Sequence, residues 1–284
     1  MAVDVRFKIL KDPVSWATHF VGLLASIVGV VFLLIHSAHD AAKVTSMAIY
    51  GSSLVVLFGA SATYHFLDLG ERGNRWLRRL DHCAIFFLIA GSYVPATMHL
   101  LDGAWRITIL SVVGGLAAAG ILFKIVWIDC PDWLGTLLYL ILGWVAIVPA
   151  YRMLPQLDIV PMLLLVTGGL AYSVGAIVYV KEWPDPWPRV VGHHEIWHVF
   201  VLAGGSALVR TWMPLLRVLH QAGWRRLCSA WFLALLFAFL VVWLWMLYFF
   251  VAARGGDPGW LSNVPDPATD AGADAAEINL SVSN

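Results

Sequence analysis

Eight apolar runs, most of them long enough to cross a bilayer, recur along this chain of 284 residues. They lie near 15–36, 44–67, 82–100, 105–127, 133–151, 158–180, 194–216 and 228–251. A spanning helix needs roughly 20 predominantly apolar residues. Inside hydrocarbon every backbone N–H and C=O must find a partner within its own segment, so runs of this kind fold as helices. The expectation is an all-α fold: a polytopic membrane seven-helix bundle over 15–216, with an additional C-terminal hydrophobic helix. The connections agree. His39-Asp40, the basic stretch Glu71 to Arg79, Asp102-Gly103, Asp129 to Asp132, Gln156 to Asp158 and the proline-rich loop Trp183 to Pro188 all read as turns or polar links. Residues 1–14 form an N-terminal segment, and 217–253 a basic loop with the eighth run. The tail 254–284 has no apolar face and reads as solvated and disordered.

Composition narrows the class further. Only 13% of residues are charged and 60% are hydrophobic, where a soluble domain has about 25% charged. A formal net charge of zero gives no footprint for nucleic acid, and none is expected as a partner. Cys83, Cys130 and Cys228 stand far apart, against a disulfide framework or a thiolate metal site. The first apolar run exceeds a signal-peptide core and no small-residue cleavage site closes it, so it reads as a retained span.

Orientation follows from Lys and Arg. With the N-terminus in the cytoplasm, cytoplasmic segments hold Arg6, Lys8, Lys11, Arg72, Arg75, Arg78, Arg79, Lys124, Lys181 and Arg189. The opposite loops through the sixth helix hold Lys43, Arg106 and Arg152. The positive-inside rule therefore places the N-terminus in the cytoplasm. Arg210, Arg217, Arg225 and Arg226 break the pattern and leave the topology beyond 205 open.

Ionisable groups inside a span are costly, which makes each a candidate for function. They are His19, Ser61 with His65, Asp81 with His82, and His194, Glu195 and His198. Helix parity brings all of them to the same, cytoplasmic, membrane layer. Ser61 and His65 are four apart, as are His194 and His198, so each pair shares a helix face at roughly 5–6 Å between Cβ atoms. Two imidazoles so spaced can reach one metal ion, and a third from another helix completes a three-ligand set, as in catalytic zinc sites. Zinc suits imidazole and oxygen donors best, with other imidazole-binding metals open. Each residue also has a plainer reading. His19 and His82 read as interfacial or packing residues, Ser61 as a helix contact, and Asp81 as an ion-pair partner of Arg78 or Arg79. His36, His39, His99 and His220, near other ends or loops, read as structural.

At these residues the chain resembles the hemolysin III family, the bacterial branch of the progestin and adipoQ receptor group. The likeness is carried by Asp12 to Gly22, Ser61 to His65, Arg79 to Ile85 continuing to Ala90–Pro95, and His194 to Gly204. The family pattern of S-x-x-x-H, a following Asp, and H-x-x-x-H in the seventh helix is intact and in order. The resemblance implies seven helices, a cytoplasmic N-terminus, and zinc (Zn2+) held by His65, His194 and His198. Ser61 and Asp81 would then be the catalytic pair that supports the attacking water. The wider group includes alkaline ceramidases and adipokine receptors with lipid amidase activity, which makes a membrane lipid the expected substrate. Two departures stand out. Ser15 occupies the place of an Asn common four residues before the first-helix His, and the chain continues well past helix seven.

Rival readings remain. His194-Glu-Ile-Trp-His198 also matches H-E-x-x-H, the zincin signature, with Glu195 as base. Its carboxylate ligand is missing, because parity puts Asp102 on the opposite side of the membrane. A structural zinc pinning helices two and seven in a receptor, channel or lytic protein is the non-enzymatic alternative. A transporter fits less well, since transporter sites gather near the midplane. The oligomeric state is left open by the sequence.

Overall fold

The computed structural model describes residues 11–38, 40–187 and 190–213. Among them are eight α-helices and no β-strand. The helices are α1 (Pro13–Ser37), α2 (Ala41–Phe66), α3 (Gly70–Leu100), α4 (Gly103–Val126), α5 (Asp132–Trp144), α6 (Ile147–Met153), α7 (Ile159–Lys181) and α8 (His193–Trp212). Together α5, α6 and the 3-10 turn Leu154–Gln156 make one hydrophobic segment, Asp132–Gln156. Six segments are long and apolar enough to cross a membrane. The seventh, α8, is diluted by His193, His194, Glu195 and His198 in its first two turns. Among the described residues the chain is all-helical, with seven helical segments suited to an integral membrane protein. The run expected at 228–251, the tail 254–284, His39 and His220 lie outside the described residues.

Two boundaries differ from the sequence reading, each for a physical reason. Helix α3 begins at Gly70 and not near residue 82, so the basic stretch Glu71 to Arg79 is helix and not a connection. Hydropathy marks where lipid ends, whereas a helix runs on until a breaker stops it, and Arg and Glu are good helix formers. The fifth run, expected as one helix over 133–151, breaks after Trp144. Pro149 has no N–H, which frees the carbonyl one turn before it. Tyr93 repairs the break from α3. Its hydroxyl faces the carbonyls of Leu142 at 2.9 Å and Gly143 at 2.6 Å, and accepts from the Ala146 N–H at 2.8 Å. A lipid-exposed break of this kind is tolerated only with such a partner.

Consecutive helices pack as neighbours: α1 on α2, α2 on α3, α3 on α4, and α7 on α8. Helix α5 bridges α3 and α7, and α8 returns to α1. The ring is thereby closed and the first and last described helices touch. Inside sit Met47, Tyr50, Phe86, Val113, Leu142 and Trp212. Outside, Ile35, Ile107, Leu122, Val126, Ile147 and Ile177 are all more than half exposed, the inverse of a soluble protein and suited to acyl chains.

Close approach depends on small residues, as is usual between helices in lipid. A Cβ added at Gly120 of α4 would lie 2.2 Å from Cε1 of Phe86, itself 1% exposed. Gly120→Val is therefore expected to destabilise the bundle by about 1–3 kcal/mol through overpacking. Gly114→Ala, whose Cβ would meet nothing within 4 Å, should leave stability unchanged or slightly raised. Thermal unfolding in detergent compares the two, and equal midpoints would mean that Phe86 does not hold α3 against α4.

Candidate metal centre

The closure of α8 onto α1 and α2 assembles the polar residues. His65 is in the last turn of α2, and His194 and His198 are in the first turns of α8. One ring nitrogen from each of the three lies within 4.8 Å of the others, a spacing at which they can hold a metal ion. Nε2 of His194 is 3.4 Å from Nε2 of His65. His65 and His198 are buried and His194 is half-buried.

Outer partners fix which nitrogen is free. Nδ1 of His65 is 2.9 Å from Oδ2 of Asp12. A carboxylate only accepts, so Nδ1 carries the proton and Nε2 keeps its lone pair. Nδ1 of His198 is 3.1 Å from Oγ1 of Thr18, whose own proton goes to the Ser15 carbonyl at 2.9 Å. Nδ1 of His198 is then the donor, and its Nε2 is likewise left as a lone-pair site. Buried imidazoles oriented this way are the donor set a divalent transition metal needs.

Asp12 and Thr18 were not singled out by the sequence. Asp12 stands at the N-cap of α1 before Pro13, a setting that reads as ordinary capping. Yet its side chain makes no cap hydrogen bond; it is turned to His65. Its N–H also donates to the His65 carbonyl at 2.9 Å, and Lys11 N–H to that of Phe66 at 3.3 Å. Burial pushes the Asp12 carboxyl up. The hydrogen bond from His65 and the nearby charge of Lys11 outweigh burial and hold it below its ordinary value. No local pattern separates a capping Asp from one spent on another helix; only the α1–α2 contact does. Asp12→Asn should weaken metal binding roughly 10–100-fold, the usual cost of losing such an outer partner. Competition with a chelator of known affinity measures it, and an unchanged constant would remove Asp12 from the site.

Of the other sequence candidates, Ser61 and Asp81 are buried. Ser61 lies within hydrogen-bonding reach of Asp81, and Asp81 is also close enough to His65 for an electrostatic interaction. The ion-pair reading of Asp81 fails among the described residues. Arg78 instead meets Asp129 at 3.4 Å and Asp132 at 4.0 Å, and Arg75 meets Asp129 at 3.6 Å. His19 is a packing residue in a particular sense: its ring stacks on His198 with centroids 3.6 Å apart and meets the Phe58 ring edge-on. It is 3% exposed and buttresses the metal-facing imidazole. His82 is not in the cluster; its carbonyl accepts from Tyr139 at 3.2 Å. His99 bonds Ser46 at 2.8 Å, and His36 bonds the Phe32 carbonyl.

Glu195 resolves the zincin alternative. One oxygen accepts from the Gly192 N–H at 2.8 Å, so the Glu195 side chain caps the start of α8. The other accepts from Ser15 at 2.6 Å, which ties α8 to α1. Both oxygens are committed to structure. Asp102, the carboxylate weighed for the rival reading, follows α3 at its far end, about 30 Å along the helix from Asp81. Ser15, which departs from the family habit, is thus the residue that receives α8.

Comparison with known proteins bears on what this arrangement belongs to. A family model described as "Haemolysin-III related" matches residues 7–209. "Hemolysin-3 homolog" of Bacillus subtilis (strain 168) is 36% identical over 204 residues, covering 71% of this chain and 92% of that protein. "Hemolysin-3" of Bacillus cereus is 36% identical over 203 residues, covering 70% and 89%. "Heptahelical transmembrane protein ADIPOR2" of Oryza sativa subsp. japonica is 32% identical over 174 residues, covering 53% and 76%. The matched region contains all of α1 to α7, the three histidines and their partners, and this chain belongs to the hemolysin III family, the bacterial branch of the progestin and adipoQ receptor group.

Proposed function

We propose that this protein is a zinc-dependent hydrolase of lipid amides or esters, with its site at the cytoplasmic end of the bundle in a bacterial inner membrane. The observation that carries the reading is the convergence of three imidazole nitrogens within 4.8 Å beside a buried carboxylate–hydroxyl pair, Asp81 and Ser61. His65, His194 and His198 would hold the ion. Zinc in such a site acidifies a water and polarises a carbonyl. The donor set is all imidazole, which suits zinc among common cellular metals.

The remaining chemistry falls to the chain. Asp81 accepts the proton of the attacking water and later returns one to the leaving amine or alcohol. Ser61 orients the carboxylate and the water. Asp12 and Thr18 hold the two buried imidazoles so that they need no reorganisation during the reaction. The substrate's acyl chains lie among the apolar helices, and its head group meets the basic first turns of α3, where Arg72, Arg75 and Arg79 stand.

The test begins with metal analysis of detergent-purified protein by mass spectrometry. About one zinc per chain is expected, as for a three-ligand site. Protein reconstituted in nanodiscs should then release fatty acid from N-acyl and O-acyl lipids in a chelator-sensitive manner. Protein that binds no metal even when zinc is supplied would sink the hydrolase reading. Zinc without turnover on any lipid class would leave the ion with a structural role, pinning α2 to α8.

A further inference from the structure

Away from the histidines, the end of α4 holds a buried amine that the proposed chemistry does not use. Lys124, in the last turn of α4, is 1% exposed. Its Nζ is 3.2 Å from Sγ of Cys130, in the link between α4 and α5. Cys130 is 3% exposed and in no disulfide. Among the described residues no carboxylate stands within ion-pairing distance of Lys124. Gly135 of α5 makes the space: a Cβ there would lie 2.6 Å from Nζ and 3.1 Å from Cε.

This arrangement is poor as a stabilising contact. A lysine removed from water without a carboxylate is costly, and sulfur is a weak acceptor. Its chemistry is more telling. The side-chain nitrogen and sulfur are held in contact at 3.2 Å, sealed from bulk water, close to the separation that a one-atom bridge would span. The link from Lys124 to Cys130 already brings them together, so joining them needs little movement of the backbone.

We propose that Lys124 and Cys130 form an oxidation-dependent covalent bridge in which a single oxygen atom joins Nζ to Sγ. Dioxygen is the oxidant; it is apolar and enters hydrocarbon readily. The S–H bond and one N–H bond of the Lys124 amine break, and an N–O and an O–S bond form. One oxygen atom stays in the bridge, and the other leaves as water with the two hydrogens. Nitrogen and sulfur each give up two electrons, and the dioxygen takes all four. Two molecules of a dithiol, each supplying two electrons and two protons, restore the amine, the thiol and a water. The bridge staples the end of α4 to the link that leads into α5, and it turns a basic amine into a neutral group.

The test uses the full-length protein, purified once under air and once under argon with dithiol. Chymotrypsin cuts after Phe123 and Trp127, separating Lys124 from Cys130 unless they are joined. The air-purified sample should give a joined peptide heavier than its two parts by one oxygen less two hydrogens. Most Cys130 should then resist alkylation after denaturation, and dithiol should restore its reactivity. Lys124→Arg, which retains a long nitrogen-tipped side chain, and Cys130→Ser should both lose the joined peptide. The proposal is overturned if Cys130 stays fully alkylatable after air exposure. It is equally overturned by a loss of two hydrogens alone, which means a disulfide with another cysteine, or by a gain of oxygen on Cys130 without a link to Lys124. The readout does not depend on bound metal or on hydrolysis.

Discussion

Purified His198→Ala is expected to contain almost no zinc where the unaltered protein has about one ion per chain. Any lipid hydrolysis should fall to background with it. The expectation is this strong because His198 occupies three roles at once. Its Nε2 is one of three nitrogens in the cluster, its Nδ1 is fixed by Thr18 at 3.1 Å, and its ring carries the stack on His19. Among the described residues no other imidazole belongs to the three-nitrogen group. His19, the nearest, is stacked parallel to it with an interplanar angle of 14° and is set apart from the three-nitrogen group. The comparison that isolates ligation from folding is His19→Phe, which keeps an aromatic ring against His198 and should retain most of the metal. If His198→Ala binds zinc as tightly as the unaltered protein, the three histidines are not the ligands.

Asp81→Asn should separate binding from chemistry. Asparagine keeps the size of the side chain and can still meet Ser61, but it cannot take a proton. Metal content should stay near that of the unaltered protein, and turnover should fall by about 10²–10⁴, the usual contribution of a general acid–base. A drop in zinc parallel to the drop in rate would make Asp81 a ligand or a support for one. Full activity would remove it from the mechanism.

The sequence determined, by itself, that this chain crosses a membrane and which helices carry its unusual residues. Both follow from one-dimensional properties. Apolar length sets the span, and a spacing of four puts Ser61 over His65 and His194 over His198 on shared faces. Parity alone could then assign the polar residues to one membrane layer. Where the sequence misplaced a boundary, as at the start of α3, hydropathy reported the lipid and the backbone obeyed its own hydrogen bonding. The break in the fifth run shows the same limit. Pro149 announces a disturbance, but whether it ends the helix depends on Tyr93, which arrives from another segment.

Tertiary structure decided what each side chain is committed to. Asp12 has the sequence of a cap and the function of an imidazole's partner, because α1 and α2 bring it within 2.9 Å of His65. Glu195 has the sequence of a catalytic base and the function of a cap and a tether, because Gly192 and Ser15 occupy both oxygens. Lys124 looks like a snorkelling lysine at a helix end, yet it folds inward onto Cys130 over the gap left by Gly135. A hydrogen-bonding group has few partners, and which ones it takes depends on distances of about 3 Å between segments far apart in the chain. Periodicity carries the face of a helix that a residue occupies, but the neighbour across that face is set only when the helices pack.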